Sequence, residues 1–247
     1  MEPTIIFQDN DLIVLNKPSG ITVNKADTTR YEKTIQEWLE DNKEIKFLTE
    51  KVDKNEDFIK RSGIVHRLDK ETSGILLVAK NLPSFKILQQ QFKDRVVKKT
   101  YIALVHGRLL PKDGDITVPL GRLPWNRKRF GMLPGGREAV TIYKTVGNYT
   151  LKNKKKESLS LLMLNPKTGR THQIRVHMKY IFHPIFSDLL YAGRKTAKED
   201  RKLLSRLFLH ASEIIFYHPV TKELLSFKSK LPNQLEEFLF EYTTLES

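Results

Sequence analysis

Cysteine is absent from the 247 residues, and with it go disulfides, thiolate metal sites and thiol nucleophiles. Such a chain suits a reducing compartment, and the expected location is the cytoplasm. No run approaches the roughly 18 consecutive apolar residues of a membrane span. Residues 1–11 (MEPTIIFQDND) carry an acid at position 2 and lack the basic and long apolar segments of a secretory signal. Internal repeats, low-complexity tracts and a credible linker are missing too. Negative charge is scarce: 29 Asp+Glu face 43 Lys+Arg, a formal net charge of +14. That excess favours polyanionic partners, nucleic acid ahead of membrane, because no long basic amphipathic helix is visible. Charge alone also allows a lysine-rich surface that only aids solubility.

Apolar patterning gives strands at residues 4–8 and 12–16, joined by a turn at Asp9, Asn10 and Asp11. Lys17, in the turn that follows, either faces a phosphate or is a plain exposed lysine. Ile35, Trp38 and Leu39 mark a short helix over 34–42, and residues 43–61 read as a charged surface connection. A near-continuous apolar strand at 75–80 precedes a helix that starts near Pro83 and carries Phe85, Leu88 and Phe92 on one face. Further strands are expected at 98–107, 139–146, 159–164, 208–217 and 223–227, with a last helix from Pro232. Lys152 to Lys156 reads as a solvated hairpin tip. Strand hairpins with interspersed helices predict one α+β domain.

Between the apolar runs lies GIVHRLDKETSG at 63–74, which sets Arg67 and Asp69 two residues apart on a loop shaped by Thr72, Ser73 and Gly74. An acid and a base on a loop between buried strands suit chemistry; read alone, the stretch also suits a solvated turn. Strand alternation puts Tyr101 beside Ala103 and Val105, with room for a ligand or simply packed. Arg127, Lys128 and Arg129 lie between Trp125 and Phe130 in the turn-rich stretch 119–137, a composition that suits RNA backbone and unpaired bases or, read alone, a charged hairpin connection. Gly169 permits a sharp turn and Thr171 is a candidate N-cap for a helix with Ile174, Met178, Ile181 and Phe182 on one face. Arg170 precedes that helix and Arg175 falls near its first turn, where the dipole favours anions. His172, His177 and His183 lack the i, i+4 spacing of a helical zinc motif, so no metal is expected.

His66-Arg67-Leu68-Asp69 followed by Thr72-Ser73-Gly74 resembles the HRLDxxTSG hallmark of the RluA-type pseudouridine synthases. Companion segments resemble the same family in the same order: NKPSG at 16–20, KTYIALVxG at 99–107, TGRTHQIRVHM at 168–178, and Leu209-His210-Ala211 with His218-Pro219. The resemblance covers about residues 4–232 and leaves no room ahead for the S4-like RNA-binding domain of some relatives. It implies a single α+β catalytic domain, residues 1–247, with a mixed, mostly antiparallel sheet, flanking helices and loops around an RNA-binding cleft. The implied reaction cleaves the N-glycosidic bond of a uridine in rRNA or tRNA, rotates the uracil and rejoins it through carbon, without cofactor or metal. By the same resemblance Asp69 is the essential carboxylate, Tyr101 lies against the base, Arg175 is the aspartate's cation, and Arg67 serves the vacated stack. Arg127, Lys128, Arg129 and Arg170 are expected RNA contacts, and the protein a monomer with no obligate protein partner. One departure stands out. Relatives commonly show GHPIxGD where this chain has FHPIFSD at 182–188, so the loop is expected to be stiffer or differently angled. A catalytically inactive RNA-binding relative and a base-excising N-glycosidase are the competing expectations.

Overall fold

A computed structural model describes residues 2–25, 33–45, 47, 56–152 and 156–246. The expected hairpin tip and charged connection therefore fall partly outside the described residues, at 153–155 and at 46 and 48–55. The backbone forms two compact units that interleave along the chain: Met1–Lys98 with Glu213–Ser229, and Lys99–Ser212 with Lys230–Ser247. Each combines antiparallel strands with helices, the expected α+β class.

In the first unit, β1 (Thr4–Gln8) and β2 (Leu12–Lys17) form the expected hairpin. Asp9 Oδ1 accepts the amides of Asp11 and Leu12 at 2.7 and 2.8 Å, which closes the turn. β3 (Ser73–Ala79) pairs antiparallel with β2 and is buried at every residue, as its unbroken apolar run requires. Helix α1 (Ile35–Asp41) starts with a reciprocal capping box between Thr34 and Glu37. Short α2 (Asp57–Lys60) leads into the loop at 61–72, and α3 (Leu82–Lys93) is capped by the Asn81 side chain on the Ser84 amide. Residues 213–217 of β10 (Leu209–Tyr217) pair antiparallel with β11 (Leu224–Lys228). Leu12, Val14, Leu77, Phe85, Leu88, Ile214 and Phe216 make the core here. Gly63 holds φ +73°, and a Cβ there would stand 2.0 Å from the Ala79 carbonyl oxygen, so the close approach of this loop to β3 demands glycine.

Asp9, Asp11 and His218 place ligand atoms within 4.8 Å of one another, but their own chain fills that geometry. His218 Nδ1 accepts the amides of Val220 and Thr221, so its proton sits on Nε2 and goes to Asp9 at 2.9 Å. Asp11 Oδ1 accepts from Asn81 and Ser84. Burial acts to raise the Asp9 pKa; hydrogen bonds from Leu12, Asp11 and His218 outweigh it and hold the carboxyl below its usual range. The cluster clasps the turn between β10 and β11 to the opening hairpin.

In the second unit β4 (Lys98–His106), β9 (Ser158–Pro166) and β8 (Val140–Leu151) pair antiparallel in that order. β5 (Asp113–Thr117) and β12 (Thr243–Leu245) take the first and last parts of the free side of β8. Helix α6 (Asn233–Tyr242) drives Leu235 and Phe238 into a core with Leu104, Leu162, Met178 and Phe208. Of the two readings of residues 119–137, strand pairing favours the hairpin. The stretch contains a two-stranded hairpin, β6 (Leu120–Arg122) with β7 (Phe130–Met132), in which Gly121 faces Gly131. Helix α4 (Gln173–Tyr180) lies against β7, β8 and β9, and α5 (Arg194–Leu203) follows it. The N-cap of α4 is His172 at φ +56°, not Thr171. No side chain caps the helix; instead the Gln173 side-chain oxygen accepts from the Arg170 amide and the Thr168 hydroxyl and so ties the preceding turn to it. Phe182, expected on the buried face, is 85% exposed, because the chain turns out of the helix one residue earlier.

His177 of α4 is fully buried, with neither ring nitrogen hydrogen-bonded. Burial pushes its imidazole down to about 4. The unfolded chain then takes up this proton first, so stability present above pH ~6.5 drains away as pH falls toward 4, by up to about 1.4 kcal/mol per pH unit. Urea unfolding at a series of pH values should show a shallower loss for His177→Leu than for the parent; identical slopes would remove His177 as the cause.

Candidate active site

Asp69 sits half-buried in a tight turn whose carbonyl accepts the Thr72 amide at 3.1 Å. The turn is held from below by Lys17, a side chain with no exposure at all. Its ammonium donates to the carbonyls of Pro18, Ile21 and Lys70 at 2.9, 2.8 and 3.1 Å. Two more bonds tie the same two loops together, Gly20 N to Lys70 O at 2.8 Å and Ser19 Oγ to Glu71 O at 2.7 Å. Both readings of Lys17 from the sequence are thus overturned. It neither faces a phosphate nor lies exposed, because three converging carbonyls replace its hydration shell. His66 Nε2 accepts the Leu77 amide at 2.9 Å and its ring stacks on Phe92 at 4.7 Å, which anchors the other side of the motif on β3 and α3. That bond fixes the neutral tautomer with its proton on Nδ1. Arg67 points outward and is exposed, and the Thr72 hydroxyl is buried with no partner.

Tyr101 and Arg175 belong to the second unit. Tyr101 is half-buried on β4, opposite Leu164 of β9. On the same face two residues earlier stands Lys99, whose ammonium lies 4.0 Å from the position a Cβ on Gly169 would take. Burial lowers the Lys99 pKa to about 8, a perturbation the alternation pattern alone does not reveal. Arg175 is 5% exposed and clamps Asp188, itself fully buried: Nε donates to Oδ2 and Nη2 to Oδ1, both at 2.8 Å. This two-pronged geometry suits guanidinium and carboxylate planes. Asp188 Oδ1 also accepts the amides of Leu190 and Tyr191 at 2.9 and 3.1 Å. The Tyr191 ring lies under both Arg175 and Arg129, at 5.1 and 5.4 Å, and its hydroxyl bonds His172 Nδ1 at 2.9 Å and the Phe130 amide at 3.0 Å. Sequence reading missed Asp188 and Tyr191 as members of this network. The pairing signal was present only as the acid six residues after Phe182.

The three cations expected to act together at 127–129 separate. Arg127 and Lys128 are exposed at the tip of the β6–β7 hairpin, beside Trp125 at 77% exposure. Arg129 turns inward and donates to the Leu190 carbonyl. Arg170 is half-buried, its Nε donating to the Glu138 carbonyl at 3.1 Å. His172, His177 and His183 occupy separate settings, on Tyr191, in the core, and on the His106 carbonyl. Phe182 and Ser187, the residues standing where relatives carry glycine, both hold φ +64°. The loop therefore keeps the left-handed backbone that glycine supplies freely, at a steric cost for the side chains present.

Comparison with known proteins follows this geometry. The model of the RNA pseudouridylate synthase family matches residues 11–180. Ribosomal large subunit pseudouridine synthase D of Neisseria meningitidis is 37% identical over 242 residues, 95% of this chain and 60% of that protein. An uncharacterised RNA pseudouridine synthase of Bacillus subtilis is 35% identical over 98% of this chain and 72% of its own length. Among solved structures, human RNA pseudouridylate synthase domain containing 1 superposes with TM-score 0.70 at 26% identity, covering 93% of this chain and 84% of that one.

Removing Asp188 strips the two-pronged carboxylate from a buried guanidinium, so Asp188→Ala should cost about 3–5 kcal/mol in denaturant unfolding. Asp188→Asn should cost less, because an amide oxygen can still receive the two backbone amides; equal losses would contradict that division. Phe182→Gly should raise stability by roughly 0.5–1 kcal/mol, the relieved strain less the added freedom of the unfolded chain. Ser187→Gly should show no such gain, since it deletes the hydroxyl bonded to the Leu204 carbonyl at 2.7 Å; a matching gain would refute the distinction.

Proposed function

Since the chain belongs to the RNA pseudouridylate synthase family, we propose that it isomerises uridine in RNA to pseudouridine, with Asp69 as the essential carboxylate. The observation that carries this reading is the Asp69 turn itself, fixed by a buried ammonium and cross-bonded to its neighbouring loop. Rigid placement of a reacting group lowers a barrier by holding a productive geometry in advance. Bond accounting closes without an oxidant: the C1′–N1 bond breaks, a C1′–C5 bond forms, C5 loses its proton and N1 ends protonated. Neither cofactor nor metal is needed.

Roles follow residue by residue. Asp69 acts on the sugar or the base, Tyr101 lies against the uracil, and Arg175 supplies positive charge to the ionised aspartate. The clamp on Asp188 supports that role, because it fixes the guanidinium in one orientation. Extruding the nucleotide costs of order a few kcal/mol, offset by Arg67, Arg127, Lys128, Arg129 and Arg170 on the RNA. The exposure of Arg67 fits a side chain that fills the vacated stack. Residues 1–247 serve as one catalytic domain around an RNA-binding cleft, acting as a monomer in the cytoplasm. The name of the Neisseria relative supports ribosomal RNA as the target, with tRNA the second choice. Among the described residues no helix is long and apolar enough to cross a membrane.

Incubated with ribosomal RNA from cells lacking the gene, the protein should restore pseudouridine at defined sites. Asp69→Ala should abolish that restoration while RNA affinity stays within roughly tenfold, since about 1.4 kcal/mol covers a factor of ten. Turnover retained by a clean Asp69→Ala preparation would sink the assignment.

A further inference from the structure

Helix α5 divides its charges by face. Its acids are bound internally: Asp200, 4% exposed, holds His106 Nε2 and the Ser187 amide at 2.9 Å each, and Glu199 pairs with Lys202 at 2.6 Å. Of its other four cations, Arg194, Lys198 and Arg201 recur at i, i+4 and i+7 and so share a face with Ala197, while Lys195 lies off that face. That face borders a surface cavity of about 480 Å³, whose fourth cation is Arg129 and which, among the described residues, no acidic side chain lines.

Two of the four charges are held in place by backbone. Arg129 donates to the Leu190 carbonyl, and Arg201 donates from Nε to the Ser187 carbonyl at 3.0 Å and from Nη1 to the Ser205 carbonyl. Arg129 Nε is buried and has no hydrogen-bond partner, an orphaned donor of the kind a folded protein rarely leaves unexplained. Arg194 and Lys198 are exposed, one helical turn apart. Ala197, 2% exposed, keeps the floor low where a longer side chain would fill the space. Four like charges around one cavity repel each other, and an anion of fitting size relieves that repulsion.

We propose that this cavity binds a phosphodiester group of the RNA backbone, with Arg129 and Arg201 as fixed walls and Arg194 and Lys198 as the adjustable side. The site rests on the reading of the protein as an RNA-modifying enzyme, and it lies apart in sequence from Asp69, Tyr101 and Arg175. It adds three cations to the single residue, Arg129, that the sequence pointed to.

The test uses a fluorescently labelled RNA stem–loop with uridines in the loop, titrated at several salt concentrations. Compared are the parent, Arg194→Ala/Lys198→Ala, and Lys144→Ala/Lys195→Ala, which removes the same charge from exposed positions off the cavity. Losing the contact to that one phosphate should shallow the log–log salt slope by roughly 0.7–0.9 for the cavity pair, with little change for the other pair. A cavity-pair slope equal to that of the parent or the comparator overturns the site. In a second arm, the Arg129 Nε–H NMR signal should shift on adding the stem–loop; a shift with inorganic phosphate but none with RNA overturns the RNA assignment in favour of a free anion. Pseudouridine formation by the parent is scored separately. An inactive parent with a shallowed cavity-pair slope keeps the site and sinks the synthase reading, whereas an active parent with an unchanged slope sinks the site alone.

Discussion

A buried ammonium organises the loop on which the proposed chemistry stands. Lys17 ends β2 with no solvent contact and gives its charge to three backbone carbonyls, one of them from Lys70 beside Asp69. Hydrogen bonds to a charged donor contribute about 1.5–3 kcal/mol each, and a buried charge without them would cost far more. The carbonyls are equally dependent, since they point inward where water cannot replace the lysine. Mutual need makes the two loops one rigid piece. Everything else in the first unit bears on that piece: β2 and β3 deliver its ends, Gly63 lets the chain pass close to Ala79, and His66 pins the motif to the Leu77 amide.

The second unit uses the same device with a guanidinium. Arg175 grips Asp188 through two bonds inside the protein, and two amides complete the carboxylate's shell. Tyr191 then carries Arg129 on its ring and His172 on its hydroxyl, so the base of the β6–β7 hairpin is linked to the start of α4. Asp9, Asp188 and Asp200 are held by internal bonds, while Arg67, Arg127, Lys128, Arg194 and Lys198 face outward. The net charge of +14 suits a polyanion, and its exposed part is screened by salt.

Much of the fold was legible because apolar periodicity governs it. The opening hairpin, β3, α1, α3 and α6 appear where the pattern put them, each with a cap or an apolar face to explain its bounds. β5, β12 and the strands of the β6–β7 hairpin were not legible, since short, polar or glycine-bearing strands take their identity from a partner strand. α5 escaped for the opposite reason: only Ala197 and Asp200 are buried on it, so no apolar stripe announces it. Among candidate site residues, Asp69, Tyr101 and Arg175 were given roles by motif resemblance, whereas Lys17 and Asp188 stood in matched segments without these roles and Tyr191 was not singled out. Their importance comes from contacts between distant segments, and a lysine in a turn carries no mark of burial. The two departures from the family's glycines show the converse. Phe182 and Ser187 retain the left-handed backbone, so the loop's path is set by its surroundings rather than by the residues that would adopt it most cheaply.

The central claim is that the uracil leaves its sugar and returns through carbon without leaving the RNA. It is tested most directly by a single-turnover reaction on RNA carrying ring-labelled uracil, with nucleosides and free base separated afterwards. The account predicts that all label stays in the polymer and that converted label appears as pseudouridine. Free labelled uracil with an abasic site in the RNA would contradict it, and so would label recovered only as uridine from every RNA the protein binds.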